Sequence, residues 1–151
     1  HTSSRRQRQM CIRDRFFDIG KFRIGILICW DQWYARSYEY MRKNNVNLII
    51  CPTAIGFCKI KNKNISLRDE REKWLNVITA NSLMINTPVV ICNRIGTESD
   101  KDHSISFWGS SFITDSSGTV VKKCLTDQRV IHHKIVIKDQ ITAKSMWNFI
   151  D

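Results

Sequence analysis

The sequence predicts a layered α/β fold, and three observations carry the prediction. A strand-like run from Lys21 to Cys29 (KFRIGILIC) is followed by a helix-like stretch from Tyr34 to Asn45. A second strand-like run, Val46 to Thr53 (VNLIICPT), comes directly after it. Strand, helix and strand within about thirty residues form the crossover unit from which layered α/β domains are built.

Taken in order, Phe22, Ile24, Ile26 and Ile28 alternate along the first run, and Gly25 and Leu27 keep its other face apolar. Such a strand is expected to be buried on both sides. Tyr34, Tyr38 and Met41 recur at helical spacing, and Lys43-Asn44-Asn45 is a polar stop. The β-branched run after it ends at Pro52. Residues 57–66 (FCKIKNKNIS) read as a polar, lysine-rich loop. Residues 67–86 read as a second helix, with Trp74, Val77, Ile78, Asn81 and Ile85 along one stripe. Residues 87–96 (TPVVICNRIG) read as one strand, and residues 105–123 as two strand runs around the turn DSSG. Residues 129–137 (RVIHHKIVI) supply a last strand before a short amphipathic tail. With no repeat and no shift of composition after residue 16, a single partial domain is expected.

The chain has 151 residues and 42% hydrophobic content, enough to bury a core. No apolar run approaches the roughly 18 residues that cross a bilayer, and the start lacks a signal-peptide h-region. A soluble protein without membrane partners is expected. The six cysteines, Cys11, Cys29, Cys51, Cys58, Cys92 and Cys124, lack C-x-x-C spacing, which favours reduced thiols in the cytoplasm. The four histidines, His1, His103, His132 and His133, show no ligand spacing, so neither metal nor cofactor is expected.

The formal charge of +10 invites a nucleic-acid reading. Five Arg and one Asp in residues 1–15 supply a net +4 of it, however, leaving +6. Arg5 to Arg15 (RRQRQMCIRDR) also back-translates naturally into a transposase sequencing adapter. Residues 1–15 are therefore expected to be an artefactual segment, and the fold is read from Phe16 onward. The remaining charge has no interleaved aromatics on a basic strand or helix, which argues against a nucleic-acid partner. Lys59, Lys61 and Lys63 read as a solvated loop.

The stretch Leu27 to Trp33 (LICWDQW) runs a buried strand into a cysteine. The carboxyl ends of such strands are where α/β folds place their sites. Unsatisfied N–H groups at the start of the next helix would favour the thiolate of Cys29, and the Trp30 N–H can point into an oxyanion position beside the sulfur. Packing is the simpler reading of a lone cysteine; its company argues otherwise.

GILICWDQW (residues 25–33) followed by LIICPTAIG (48–56), CNRIG (92–96) and FWGSSFITDSSGTVV (107–121) closely resembles the nitrilase superfamily. Within it the resemblance is to the N-carbamoylputrescine amidase branch, and it extends over nearly all of residues 20–137. It implies a partial nitrilase-type αββα four-layer sandwich, with residues 16–151 the C-terminal part of a carbon-nitrogen hydrolase domain. It also implies a Cys-Glu-Lys catalytic set acting on a small carbamoylated amine, and homo-oligomers at full length. Carried over, Cys29 matches the nucleophile and Trp30 supplies the oxyanion N–H. Asp31 orders the elbow, and Asp31, Thr53, Ala54 and Ile55 fall at the substrate-binding edge of the pocket.

The superfamily's Glu and Lys precede the cysteine, and Lys21 and Glu39 are wrongly placed for either role, so this chain alone is expected to be inactive. A second departure follows the WDQW motif: Arg36 precedes Glu39, the reverse of the family's order, although the two can still pair at i,i+3 on a helix. That exchange motivates the alternative of a catalytically dead paralogue acting as a binding or oligomer-partner subunit.

Overall fold

The structure is a computed structural model that describes residues 15–59, 67–99, 104–124 and 130–136. The chain opens with β1 (Phe16–Ile19), which turns through Gly20 and pairs antiparallel with β2 (Phe22–Ile26). A single 3-10 turn (Cys29–Trp33) leads into α1 (Ala35–Lys43) and then β3 (Leu48–Thr53). β4 (Gly56–Lys59), α2 (Leu67–Ile85), β5 (Val89–Asn93) and β6 (Ile95–Ser99) follow. β7 (Ser104–Trp108), β8 (Phe112–Thr114) and β9 (Val120–Lys123) complete the described elements.

Six strands form one mixed sheet in the order β1-β2-β3-β5-β8-β9, whose inner strands β2, β3 and β5 are parallel. The other three form a small antiparallel sheet, β4-β7-β6. Both helices pack against one face of the larger sheet. Gly25 makes room for α1, because a Cβ there would lie 2.6 Å from Met41 Sδ. Leu27, Ile49, Cys51, Val89, Ile91 and Phe112 continue this face into a core closed by Tyr38, Met41, Trp74 and Ile78. Trp74 meets Phe112 edge-on at 5.5 Å between ring centroids. Burying a tryptophan of about 200 Å² contributes on the order of 5 kcal/mol before its ordering entropy is counted.

Each helix ends on an asparagine in the left-handed region, Asn45 at φ 54° and Asn86 at φ 51°. The Asn45 N–H then reaches Arg42 O at 2.9 Å and the Val46 N–H reaches Met41 O at 3.1 Å. Asn86 to Leu83 and Thr87 to Ser82 repeat this pattern, which satisfies carbonyls that a helix end leaves open.

The expected crossover unit and the helix over residues 67–86 are present. Four expectations change. The run 87–96 divides into β5 and β6 at Arg94, the two halves entering different sheets. The run before DSSG divides likewise, at Gly109 and Ser110, whose consecutive φ values of 57° and 58° swing the chain from β7 into β8. Phe57 to Lys59, read as loop, form β4 against β7. Residues 130–136, expected as a strand, carry no strand assignment, and the tail beyond them lies outside the described residues. The DSSG hairpin itself forms between β8 and β9, closed by Asp115 Oδ1, which accepts from the N–H groups of Ser117 and Thr119.

Candidate active site

The carboxyl ends of the three parallel strands converge: β2 leads to Cys29, β3 ends at Thr53, and β5 ends at Asn93, in register with Thr53. At that edge Cys29 adopts φ 49°. A side chain with a Cβ enters the left-handed region at a cost of roughly 1–2 kcal/mol and persists there only when its surroundings hold it.

Those surroundings are specific. Asp31 Oδ2 accepts the Ile28 N–H at 3.1 Å and forms an ion pair with the Arg15 guanidinium. Gln32, fully buried, donates from Nε2 to Cys29 O and, at 3.1 Å, to Thr53 Oγ1. Thr53 in turn donates to Cys51 O at 3.2 Å, and the Tyr38 hydroxyl donates to Gln32 O at 3.1 Å. The turn that presents the cysteine is thereby tied to β3 and α1.

Cys29 is half-buried, and Trp30 stands out from the surface, 62% exposed, with Nε1 donating to Tyr34 O–H at 3.1 Å. Among the described residues no acceptor meets the Trp30 backbone N–H. The α-helix expected from Tyr34 starts at Ala35, and a five-residue 3-10 turn, Cys29–Trp33, joins it to the strand, so that it is this turn that follows the cysteine directly.

The substrate-edge residues separate into different roles. Ala54 is exposed at the turn. Ile55 is buried, and its backbone is clasped by Asn93. Thr53 points inward with its hydroxyl committed to Gln32 and Cys51, so it supports the elbow instead of lining an open pocket. Asp31 likewise has its carboxylate engaged by Ile28 and Arg15. Arg36 and Glu39 make no ion pair with each other on α1.

Cys51 is buried, and burial pushes its thiol well above the ordinary range. Cys92 is exposed, on the sheet face opposite Ile91 and the helices. Together with Cys124 it lines a cavity of about 570 Å³ that does not include Cys29. Among the described residues no group of His, Cys, Asp or Glu could hold a metal ion, and no helix is long and apolar enough to cross a membrane.

Sequence reasoning assigned no role to two residues that organise this edge, Gln32 and Asn93. Asn93 accepts from the Ile55 N–H and donates to Ile55 O and Gly109 O, joining three links between the sheets. Both sit inside quoted motifs, WDQW and CNRIG, and a polar residue at the end of an apolar strand is the signal that could have marked Asn93.

The carboxyl edge of the parallel strands thus presents a cysteine in left-handed backbone beside a backbone N–H that meets no acceptor among the described residues. The carbon-nitrogen hydrolase family model matches residues 3–144, and the chain belongs to that family. N-carbamoylputrescine amidase from Oryza sativa subsp. japonica is 36% identical over 103 residues, 66% of this chain and 33% of that protein. A citrullinase from Francisella tularensis is 31% identical over 104 residues, 69% of this chain and 35% of that protein. The chain thus spans about a third of the length of these curated relatives. The crystal structure of a carbon-nitrogen hydrolase from Helicobacter pylori G27 superposes with a TM-score of 0.76 at 25% identity, covering 86% of this chain and 45% of that one. The helix-backed sheet fits part of a nitrilase-type αββα sandwich.

Proposed function

We propose that this chain carries the nucleophile of a carbon-nitrogen hydrolase acting on a carbamoylated amine, with N-carbamoylputrescine as the substrate and polyamine formation as the setting. The observation that carries the proposal is the turn at Cys29, φ 49°, next to a Trp30 N–H that meets no acceptor among the described residues. The names of the relatives support the substrate class, since citrulline and N-carbamoylputrescine both present a carbamoyl group on an amine nitrogen.

In this reading Cys29 Sγ, as thiolate, adds to the carbamoyl carbon, and the developing oxyanion accepts a hydrogen bond from the Trp30 N–H. The C–NH₂ bond breaks and ammonia leaves with a proton, so that a carbamoyl thioester remains on Cys29. Water then adds to the same carbon and the C–S bond breaks. The thiolate returns, and the released carbamate decays to carbon dioxide and the free amine. No cofactor takes part. The acid–base carboxylate and the cation of the superfamily have no assigned counterpart among the described residues.

The test is incubation of the chain with N-carbamoylputrescine over hours, followed by acid quench and peptide mass spectrometry. A carbamoyl adduct on the Cys29 peptide, absent from Cys29→Ser, is expected. Calorimetric binding of the substrate with no adduct would overturn this reading in favour of a catalytically dead, ligand-binding paralogue. The exchanged order of Arg36 and Glu39, which make no ion pair with each other, is the observation on that side.

A further inference from the structure

We infer that Gln32 is a positioning residue that aims the oxyanion donor of the elbow, an inference that rests on the reading of Cys29 as nucleophile. A trans peptide holds its C=O and N–H on opposite sides of one plane. The Cys29 carbonyl and the Trp30 N–H belong to the same plane, so whatever fixes the first aims the second. Gln32 Nε2 fixes the first, drawing Cys29 O toward the protein interior. The Trp30 N–H is thereby turned away from the interior, to the side where it has no acceptor among the described residues.

The orientation of the amide follows from its partners. Cys29 O can only accept, and Thr53 Oγ1 has given its own proton to Cys51 O, so the nitrogen of Gln32 faces both. That leaves Gln32 Oε1 buried without a partner among the described residues. A buried orphan acceptor is disfavoured, and a leucine of similar size would avoid it. Retaining the amide makes sense where its two N–H groups do something packing cannot. Those groups bridge the elbow to the end of β3, and they set the plane of one peptide.

The experiment compares two electrophiles at Cys29. p-Nitrophenyl acetate acylates through a tetrahedral oxyanion and calls on the Trp30 N–H; iodoacetamide alkylates by displacement at carbon and does not. Rates are read on the Cys29 peptide by mass spectrometry, which separates it from the exposed Cys58 and Cys92. In Gln32→Leu, acylation is expected to fall by about 10- to 100-fold, somewhat less than loss of a whole oxyanion donor. Alkylation is expected to stay within about twofold, since it reports only thiol access and ionisation. Thr53→Val, which removes the far anchor of the amide at constant volume, should give the same selective loss in smaller measure and carries the test if Gln32→Leu fails to fold. Equal rates with both reagents in a folded variant, or parallel loss of both, would overturn the inference while leaving Cys29 as nucleophile. Acylation of the unaltered chain that avoids Cys29 would sink the nucleophile reading itself, and this inference with it.

Discussion

Asn93 holds Ile55 as a neighbouring strand would, accepting its N–H at 2.9 Å through Oδ1 and donating to its carbonyl at 3.0 Å through Nδ2. A third bond, from Nδ2 to Gly109 O at 2.8 Å, brings in the turn between β7 and β8. One buried amide thus replaces the backbone pairing that strands lose where the chain changes sheets. Asn93→Leu should destabilise the fold by about 2–4 kcal/mol, because it strands the buried Ile55 N–H and the Gly109 carbonyl at about 1–3 kcal/mol each and leaves Ile55 O with only the long bond from the Trp108 N–H at 3.4 Å. Urea unfolding at neutral pH measures it, and an unchanged midpoint would mean that the turn holds itself.

Two glycines should respond differently to the same methyl group. At Gly56 an added Cβ would lie 2.4 Å from Ser106 O and 2.7 Å from Phe107 Cα, backbone atoms fixed by the β4–β7 ladder. At Gly25 the nearest obstacle is Met41 Sδ, the end of a flexible side chain. Gly56→Ala is expected to cost about 3 kcal/mol and Gly25→Ala about 1 kcal/mol, the range seen for overpacking. Thermal unfolding of the pair decides whether the ranking holds.

Alkaline pH should weaken the fold. Burial raises the Cys51 thiol above its ordinary 9.0 and the Tyr38 hydroxyl well above its ordinary 10.0. Below pH 9 both groups are neutral folded or unfolded and contribute no pH dependence. Above it the unfolded chain releases protons that the folded chain retains, so stability falls by up to about 1.4 kcal/mol per pH unit for each group. Cys51→Ala should flatten the first part of that decline between pH 9 and pH 10, read from unfolding curves at each pH.

Thiol labelling should sort the cysteines by access. Cys51, fully buried with its ionisation suppressed, is expected to be the slowest to react with iodoacetamide in the folded chain. Cys58 and Cys92 are exposed and will label alongside Cys29, so speed alone does not identify the nucleophile. Cys29→Ser is the discriminating variant: it should abolish adduct formation with a carbamoylated amine while leaving binding nearly intact. An adduct that survives the substitution would assign the chemistry to another thiol.

The 151-residue chain by itself should release no more than one equivalent of ammonia from N-carbamoylputrescine. Among the described residues no side chain hydrogen-bonds to Cys29 Sγ, so neither the leaving ammonia nor the attacking water has a proton carrier. A positioned acid or base is typically worth about 10²- to 10⁴-fold. Sustained ammonia release dependent on Cys29, followed by a coupled assay, would show that this chain contains a working set.

Periodicity revealed the elements that have it. The helix over residues 67–86 was legible because Trp74, Ile78, Asn81 and Ile85 form one buried stripe over about three turns, β2 because Phe22, Ile24 and Ile26 alternate, and β3 because its run from Leu48 to Cys51 is wholly apolar. The division at Arg94 was invisible because the pair Asn93-Arg94 inside an apolar run carries no turn signature; the partners of the Arg94 backbone, Thr53 and Gly109, are remote in sequence. β4 was hidden by the lysines around it. In the site, Cys29 and Trp30 were marked by the unusual run they occupy. Thr53 was marked by its place after the strand-ending Pro52, while the engagement of its hydroxyl with Gln32 and Cys51 depends on partners brought together by the fold. Gln32 and Asn93 went without roles because what distinguishes them is complete burial with selected partners, which only the folded arrangement creates.

The link at Arg94 has a bearing on how the protein can change in length. Its N–H donates to Thr53 O and its carbonyl accepts from the Gly109 N–H, each at 3.0 Å, with β5 ending one residue before it and β6 starting one residue after. An inserted residue would have to break one of those bonds and would turn every side chain of β6 to the opposite face. Substitution is a mild event at this position and insertion a severe one. A scan of single-residue insertions and deletions should therefore find residues 93–95 closed to both, even where the identity of residue 94 is free to vary.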